Sequence, residues 1–206
     1  MIKIIDYKAG NAPSVLHAAV HLGYAAEAEV SFAYCPDDLD NATHIILPGV
    51  GSAKATMDSL REMNIINKLE DAVLRRKIYF LGICVGMQII FEHSEEENAD
   101  CLGWLKGRVV KFDALKVRVP QMGWNQVQFV KNINFADFCR HDDFFYFVNS
   151  YYAVPDEKSD LWGTADYNGQ FAAAVRKDNI YATQFHIEKS GEAGLALLSG
   201  FLNLKK

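Results

Sequence analysis

The chain is poor in the features that would place it outside ordinary globular proteins. It has only four cysteines and five prolines in 206 residues. The cysteines (Cys35, Cys84, Cys101 and Cys139) are widely spaced with no C-x-x-C pair. That excludes a zinc ribbon and argues against a disulfide framework, leaving a reducing, cytoplasmic setting as the expectation. No basic excess is present. The formal net charge is −5, so a general nucleic-acid binder, which carries a basic stripe, is excluded. No apolar run reaches the length of a membrane span. Met1-Ile2-Lys3-Ile4-Ile5-Asp6 is too short and polar for a signal peptide and reads as a first strand. Repeats, low-complexity tracts and flexible linkers are all missing, so residues 1–206 read as one domain.

Half of the residues are hydrophobic, enough to build a large core without metals or crosslinks. Ile2–Asp6, Thr43–Leu47 and Ile78–Leu81 read as buried strands. Helical patterns follow each of them: Ser14–Leu22 after Pro13, Ala53–Arg76 with a break near Asn64, and Val85–Phe91. Apolar strands alternating with helices predict an α/β fold with a central, mostly parallel sheet flanked by helices. The second half reads differently. Residues 108–112, 127–130, 144–152, 170–175 and 180–185 are strand-like with little helix between them, predicting antiparallel additions. A helix over 191–204 closes the chain. Glu95-Glu96-Glu97 reads as a solvated loop.

The first chemical signal is Gly82-Ile83-Cys84-Val85-Gly86, between a buried strand and a predicted helix. Glycines two positions either side of a nucleophile permit a sharp strand-to-helix turn. The helix start favours the thiolate form of Cys84, and the N–H of Val85 is placed to face an oxyanion. The plain alternative is a small buried cysteine. By itself the turn fits a hydrolase, an amidotransferase or a redox-sensitive protein.

A cysteine nucleophile needs a base, and the base needs an orienting group. His17 and His21 lie one turn apart on a helix with no acid near them. His44, His93 and His141 have no acidic partner two residues along. His186 has one: Glu188 falls on the same face of an extended segment, where its carboxylate fixes the imidazole tautomer.

These residues resemble the class I glutamine amidotransferases. Gly82 to Gln88 is similar to their nucleophile motif, and Gln184 to Ser190 to their His-Pro-Glu motif, with Ile187 for proline. Further blocks resemble one subfamily, the glutaminase subunits of imidazole glycerol phosphate synthase: Asp6-Tyr7 with Gly10-Asn11, Leu47 to Gly51, Val119-Pro120 with Met122 to Asn125, and Phe145 to Val148 with Ser150 to Tyr152. Together they span nearly the whole chain.

The resemblance implies a Cys84–His186–Glu188 triad that hydrolyses L-glutamine without cofactor or metal. It implies an oxyanion turn at Gly49-Val50-Gly51, with the N–H groups of Val50 and Val85 as donors, and substrate contacts from Gln88, Ser150 and Tyr151. It implies a (β/α)8-barrel cyclase partner, in a heterodimer, that receives the ammonia and docks near Pro120, Gln121, Met122, Trp124 and Asn125. Membrane and nucleic acid are not among the expected partners. Lys8, Ala53, Gln121, Asn149 and Ile187 depart from the subfamily pattern, Gln121 and Asn149 each standing where histidine is usual. Two alternatives stay open: a divergent copy supplying a sugar amidotransferase, and a regulatory subunit without turnover.

Overall fold

A computed structural model describes residues 1–8, 11–129 and 143–205. The first half alternates as expected. Strand β1 (Ile2–Ile5) leads to helix α1 (Ala12–His21), β2 (Val30–Ala33), β3 (His44–Gly49), α2 (Ala53–Glu62), α3 (Ile66–Glu70), β4 (Tyr79–Cys84) and α4 (Val85–Gln88). The second half holds β5 (His93–Ser94), β6 (Ala99–Asp100), β7 (Gly107–Lys111), β8 (Gln121–Gln126), β9 (Gln128–Phe129), β10 (Phe144–Asn149), β11 (Tyr151–Pro155), β12 (Leu161–Asp166), β13 (Gln170–Lys177), β14 (Ile180–Thr183) and α5 (Gly191–Leu202).

The main sheet runs β2-β1-β3-β4-β14-β13-β11-β7-β5-β6, with β12 joined at β13 and β9 joined to β12. Strands β2, β1, β3, β4 and β14 pair in parallel. Every residue of β1, β3 and β14 is buried, which is why these strands read as mostly apolar runs rather than alternating ones. From β14 onward, β13, β11 and β7 pair antiparallel. Strands β8 and β10 form a separate antiparallel ribbon. The α/β class with antiparallel additions is as expected, and Asn64, at φ +52°, breaks the helical stretch where predicted.

Several boundaries differ. Helix α4 ends at Gln88 instead of Phe91, because the carbonyls of Ile89, Ile90 and Phe91 accept from the N–H groups of Leu102, Leu105 and Gly103. The 144–152 stretch is two strands in two sheets, parted at Ser150, whose carbonyl accepts from Phe112 N–H. Strand β14 stops at Thr183, whose hydroxyl donates to the Phe185 carbonyl. The sequence reading missed β2, β5, β6, β8 and β12; pairing fixes them, β2 with β1, β5 with β6 and β7, β8 with β10, and β12 with β13. Among the described residues no helix is long and apolar enough to cross a membrane. Val130, His141 and Cys139 lie outside the described residues. Cys35 is exposed rather than packed. Cys101 is partly buried, and burial pushes its thiol up to about 11.

Candidate active site

Cys84 ends β4 at φ +56° and ψ −109°, a conformation that non-glycine residues adopt only under strain. The flanking glycines make it possible. A Cβ on Gly82 would lie 2.4 Å from the Gly86 carbonyl oxygen, and one on Gly86 would lie 2.0 Å from that of Leu47. The chain therefore reverses within contact distance of its own backbone. Since α4 is only one turn long, the geometry of the turn, rather than a helix dipole, presents Cys84.

His186 reaches Cys84 from the segment after β14. Its N–H is held by the Tyr146 carbonyl at 2.9 Å, and its carbonyl accepts from Ser190 Oγ at 2.6 Å. The ring and Cys84 line the same cavity, and the Cys84 side chain raises the imidazole pKa. On its other side Nδ1 lies 2.8 Å from Glu188 Oε1. The pairing does not come from an extended segment, as the sequence suggested. Residues 187–189 form a 3-10 turn that swings Glu188 back beneath the ring. Asn11 Nδ2 donates to the same Glu188 oxygen at 2.5 Å, a role the sequence reading did not assign. Burial pulls the imidazole pKa down, but hydrogen bonds and charge from Cys84 and Glu188 outweigh it and raise it to about 10. The two side chains that flank the ring thus favour its charged form.

A cavity of about 300 Å³ opens over Cys84. Of the residues singled out from sequence, Val50, Gly51, Val85, Gln88, Pro120, Ser150, Tyr151 and His186 line it together with Cys84. Gly49 stands beside Cys84 in the β3–β4 register, and a Cβ there would meet the Tyr7 hydroxyl at 2.9 Å. Tyr7 is buried, and its phenol also contacts Thr56 Oγ1 and the Val50 backbone. Gln88, at the end of α4, is buried. Its Nε2 donates to the Tyr151 carbonyl and to Gln184 Oε1, both at 3.1 Å, while Gln184 Nε2 approaches Cys84 Sγ at 3.7 Å.

The reading of Glu95-Glu96-Glu97 as a solvated loop fails at its middle residue. Glu96 lines the cavity and accepts from Ala53 N–H at 3.0 Å, capping α2. Burial pushes its carboxyl pKa up against the Ala53 hydrogen bond. Val148, Asn149 and Lys189 complete the wall. Val148 and Asn149 arrive from β10 and Lys189 from the turn after His186, so their meeting depends on contacts distant in sequence.

The docking candidates divide. Met122 and Trp124 are 66% and 57% exposed on β8. Tyr146 and Val148 on β10 pair with them across the ribbon, and Phe144 is exposed at its end. Pro120 is exposed and Asn125 half-buried. Gln121 is not on that surface: it is buried at 4% exposure, because side chains alternate along a strand and its neighbour Met122 faces outward.

Comparison with known proteins agrees with this geometry. The glutamine amidotransferase class-I family model matches residues 3–203. The imidazole glycerol phosphate synthase subunit HisH of Neisseria meningitidis serogroup B is 41% identical over 97% of this chain and 98% of its own. That of Leptospira interrogans is 40% identical over 99% and 100%. Among solved structures, PurLQS from Thermotoga maritima superposes with a TM-score of 0.77 at 19% identity, covering 98% of this chain and 97% of that one. A crystal structure of a glutamine amidotransferase gives a TM-score of 0.73 at 15% identity, over 94% of this chain and 93% of that one. The chain belongs to the class-I glutamine amidotransferase family and, within it, to the HisH subunits of imidazole glycerol phosphate synthase.

Proposed function

We propose that this chain is the glutaminase subunit that hydrolyses L-glutamine to glutamate and ammonia, and passes the ammonia to a (β/α)8-barrel cyclase subunit in histidine biosynthesis. The observation that carries the reading is the strained Cys84 turn meeting the His186–Glu188 pair at the floor of one cavity. The Cys84 thiolate attacks the side-chain amide carbon. The oxyanion that forms faces the N–H of Val85, and that of Val50 once it leaves the Tyr7 phenol it meets in this structure. His186 gives its proton to the departing nitrogen, and ammonia leaves as the C–N bond breaks. The resulting thioester is attacked by water, whose proton passes to His186. Glutamate departs and the thiolate is restored. Glu188 holds the ring and its charge throughout. Gln88, Ser150 and Tyr151 hold the substrate, with the Glu96 carboxylate a counter-charge for its ammonium.

The apolar face of Met122, Trp124 and Phe144 supports a partner surface, continuous with the catalytic ribbon through Tyr146 and Val148. On this reading the chain works in the cytoplasm as half of a heterodimer. Glutamate release measured with and without the barrel cyclase and its ribotide ligand tests it. Stimulation by the cyclase is expected. Glutamine hydrolysis that no cyclase stimulates overturns the histidine-pathway assignment and leaves a different ammonia acceptor. Turnover that survives Cys84→Ala overturns the nucleophile assignment.

A further inference from the structure

Two buried side chains beside the cavity hold a polar atom that the fold does not satisfy. Asn149 is 5% exposed and Gln121 is 4% exposed. They are direct cross-strand partners on the β8–β10 ribbon, so their side chains leave the same face. Asn149 Nδ2 donates to the Tyr151 carbonyl at 2.9 Å, which settles which end of the amide is oxygen. Its Oδ1, and Oε1 of Gln121, have no donor among the described residues. Buried carbonyl oxygens without donors are uncommon in folded proteins, and two on neighbouring side chains ask for a ligand rich in N–H.

The position says which ligand. Asn149 lines the cavity with Cys84 and His186. The carbonyl of the preceding residue, Val148, lies 3.9 Å from Cys84 Sγ. A group bonded to the carbon under attack therefore lies close to Asn149. Glutamine and glutamate differ only in that group, NH2 against a carboxylate oxygen. A pair of acceptor oxygens attracts the first and repels the second.

We propose that Asn149 Oδ1, backed by Gln121 Oε1, is an acceptor subsite for the carboxamide nitrogen, selecting amide over carboxylate and holding that nitrogen as it departs. The inference rests on the glutaminase reading. Asn149 is then a specificity-determining residue that touches substrate, and Gln121 is a positioning residue behind it. The acceptors lie on the inner face of the ribbon whose outer face carries Met122 and Trp124. The nitrogen is thereby held on the docking side of the cavity.

The test compares glutamine with glutamate γ-methyl ester, whose leaving group is methanol and brings no N–H to the enzyme. Asn149→Ala and Gln121→Met are measured on the full chain, with and without the barrel partner. Gln121→Met removes an unmet buried oxygen at nearly constant volume, so its melting temperature is expected to stay or rise, and it serves if Asn149→Ala fails to fold. The expected result is a loss of about tenfold in kcat/KM for glutamine, the value of about one neutral hydrogen bond. The ester should change by less than about twofold, and glutamate should inhibit more tightly. Equal losses on both substrates, or no loss on either, overturn the subsite and leave the glutaminase reading standing. A wild-type chain that hydrolyses neither substrate overturns both.

Discussion

Exchanging Glu188 for glutamine isolates the charge at the base of the site. Both donors that reach Glu188 use Oε1: Asn11 Nδ2 at 2.5 Å and His186 Nδ1 at 2.8 Å. Oε2 is buried without a partner among the described residues. A glutamine can place its carbonyl oxygen where Oε1 stands, keep both bonds, and put its NH2 where Oε2 was. The geometry stays and the negative charge goes. A hydrogen bond to a charged group is worth about 1.5–3 kcal/mol and a neutral one about 0.5–1.5. The two side chains are 3% and 0% exposed, so solvent does little to screen the difference. A loss near 2 kcal/mol in stabilising the imidazolium corresponds to about a 30-fold fall in kcat at neutral pH. The His186 pKa, about 10 with the charge in place, should fall with it. Glutamate release is followed by a coupled dehydrogenase assay across the pH range, with the melting temperature as a control for folding. The expected signature is a lower kcat together with an alkaline limb moved to lower pH. A folded variant within about threefold of wild type, with its alkaline limb unmoved, refutes the view that the Glu188 charge holds His186 protonated.

Three further outcomes follow from particular residues. Cys84→Gly should abolish glutamate release yet raise stability by about 1 kcal/mol, because glycine relieves the positive φ at that turn; chemical denaturation measures it, and a less stable variant contradicts the strain argument. His44 is buried and stacked on Tyr79; burial, helped by the charge of the N-terminal amine, lowers its pKa to about 4. As pH falls below about 6.5 the unfolded chain takes up a proton there that the folded one refuses, so its contribution is full above that pH and is lost on the way down to about 4, up to ~3 kcal/mol; His44→Phe should flatten the melting curve's pH dependence over that window. Trp124→Ala should weaken association with the barrel cyclase by about 30-fold or more, as for a central aromatic anchor, read by titration calorimetry.

Much of this was legible before any coordinates. Buried parallel strands announce themselves as apolar runs, and Gly82 and Gly86 announce a turn that admits no Cβ. The His186–Glu188 pair was legible by its spacing, though the turn that achieves it was not. What stayed hidden depends on contacts distant in sequence. Helix α4 is cut short by donors from residues 102, 103 and 105. Glu96 reads as one of three solvated acids until β5 and β7 bring its loop to the cavity. Asn11 carries no sign of its bond to Glu188, 177 residues away. Gln121 reads as a docking residue until strand alternation turns it inward.

The sequence by itself pointed to Cys84, His186 and Glu188, because the chemistry proposed for them needs particular residue types within short, fixed motifs. It also determined the class of fold, since hydrophobic period reports which faces are covered. Only the tertiary structure decided what surrounds Cys84. Glu96, Asn149 and the Gln184–His186 segment reach it from parts of the chain far apart in sequence, and a one-dimensional pattern holds no record of which of them meet. The turn at Cys84 was visible from its glycines; that it sits strained and buried, with the Val148 carbonyl and Gln184 Nε2 near its sulfur, is a property of the folded chain alone.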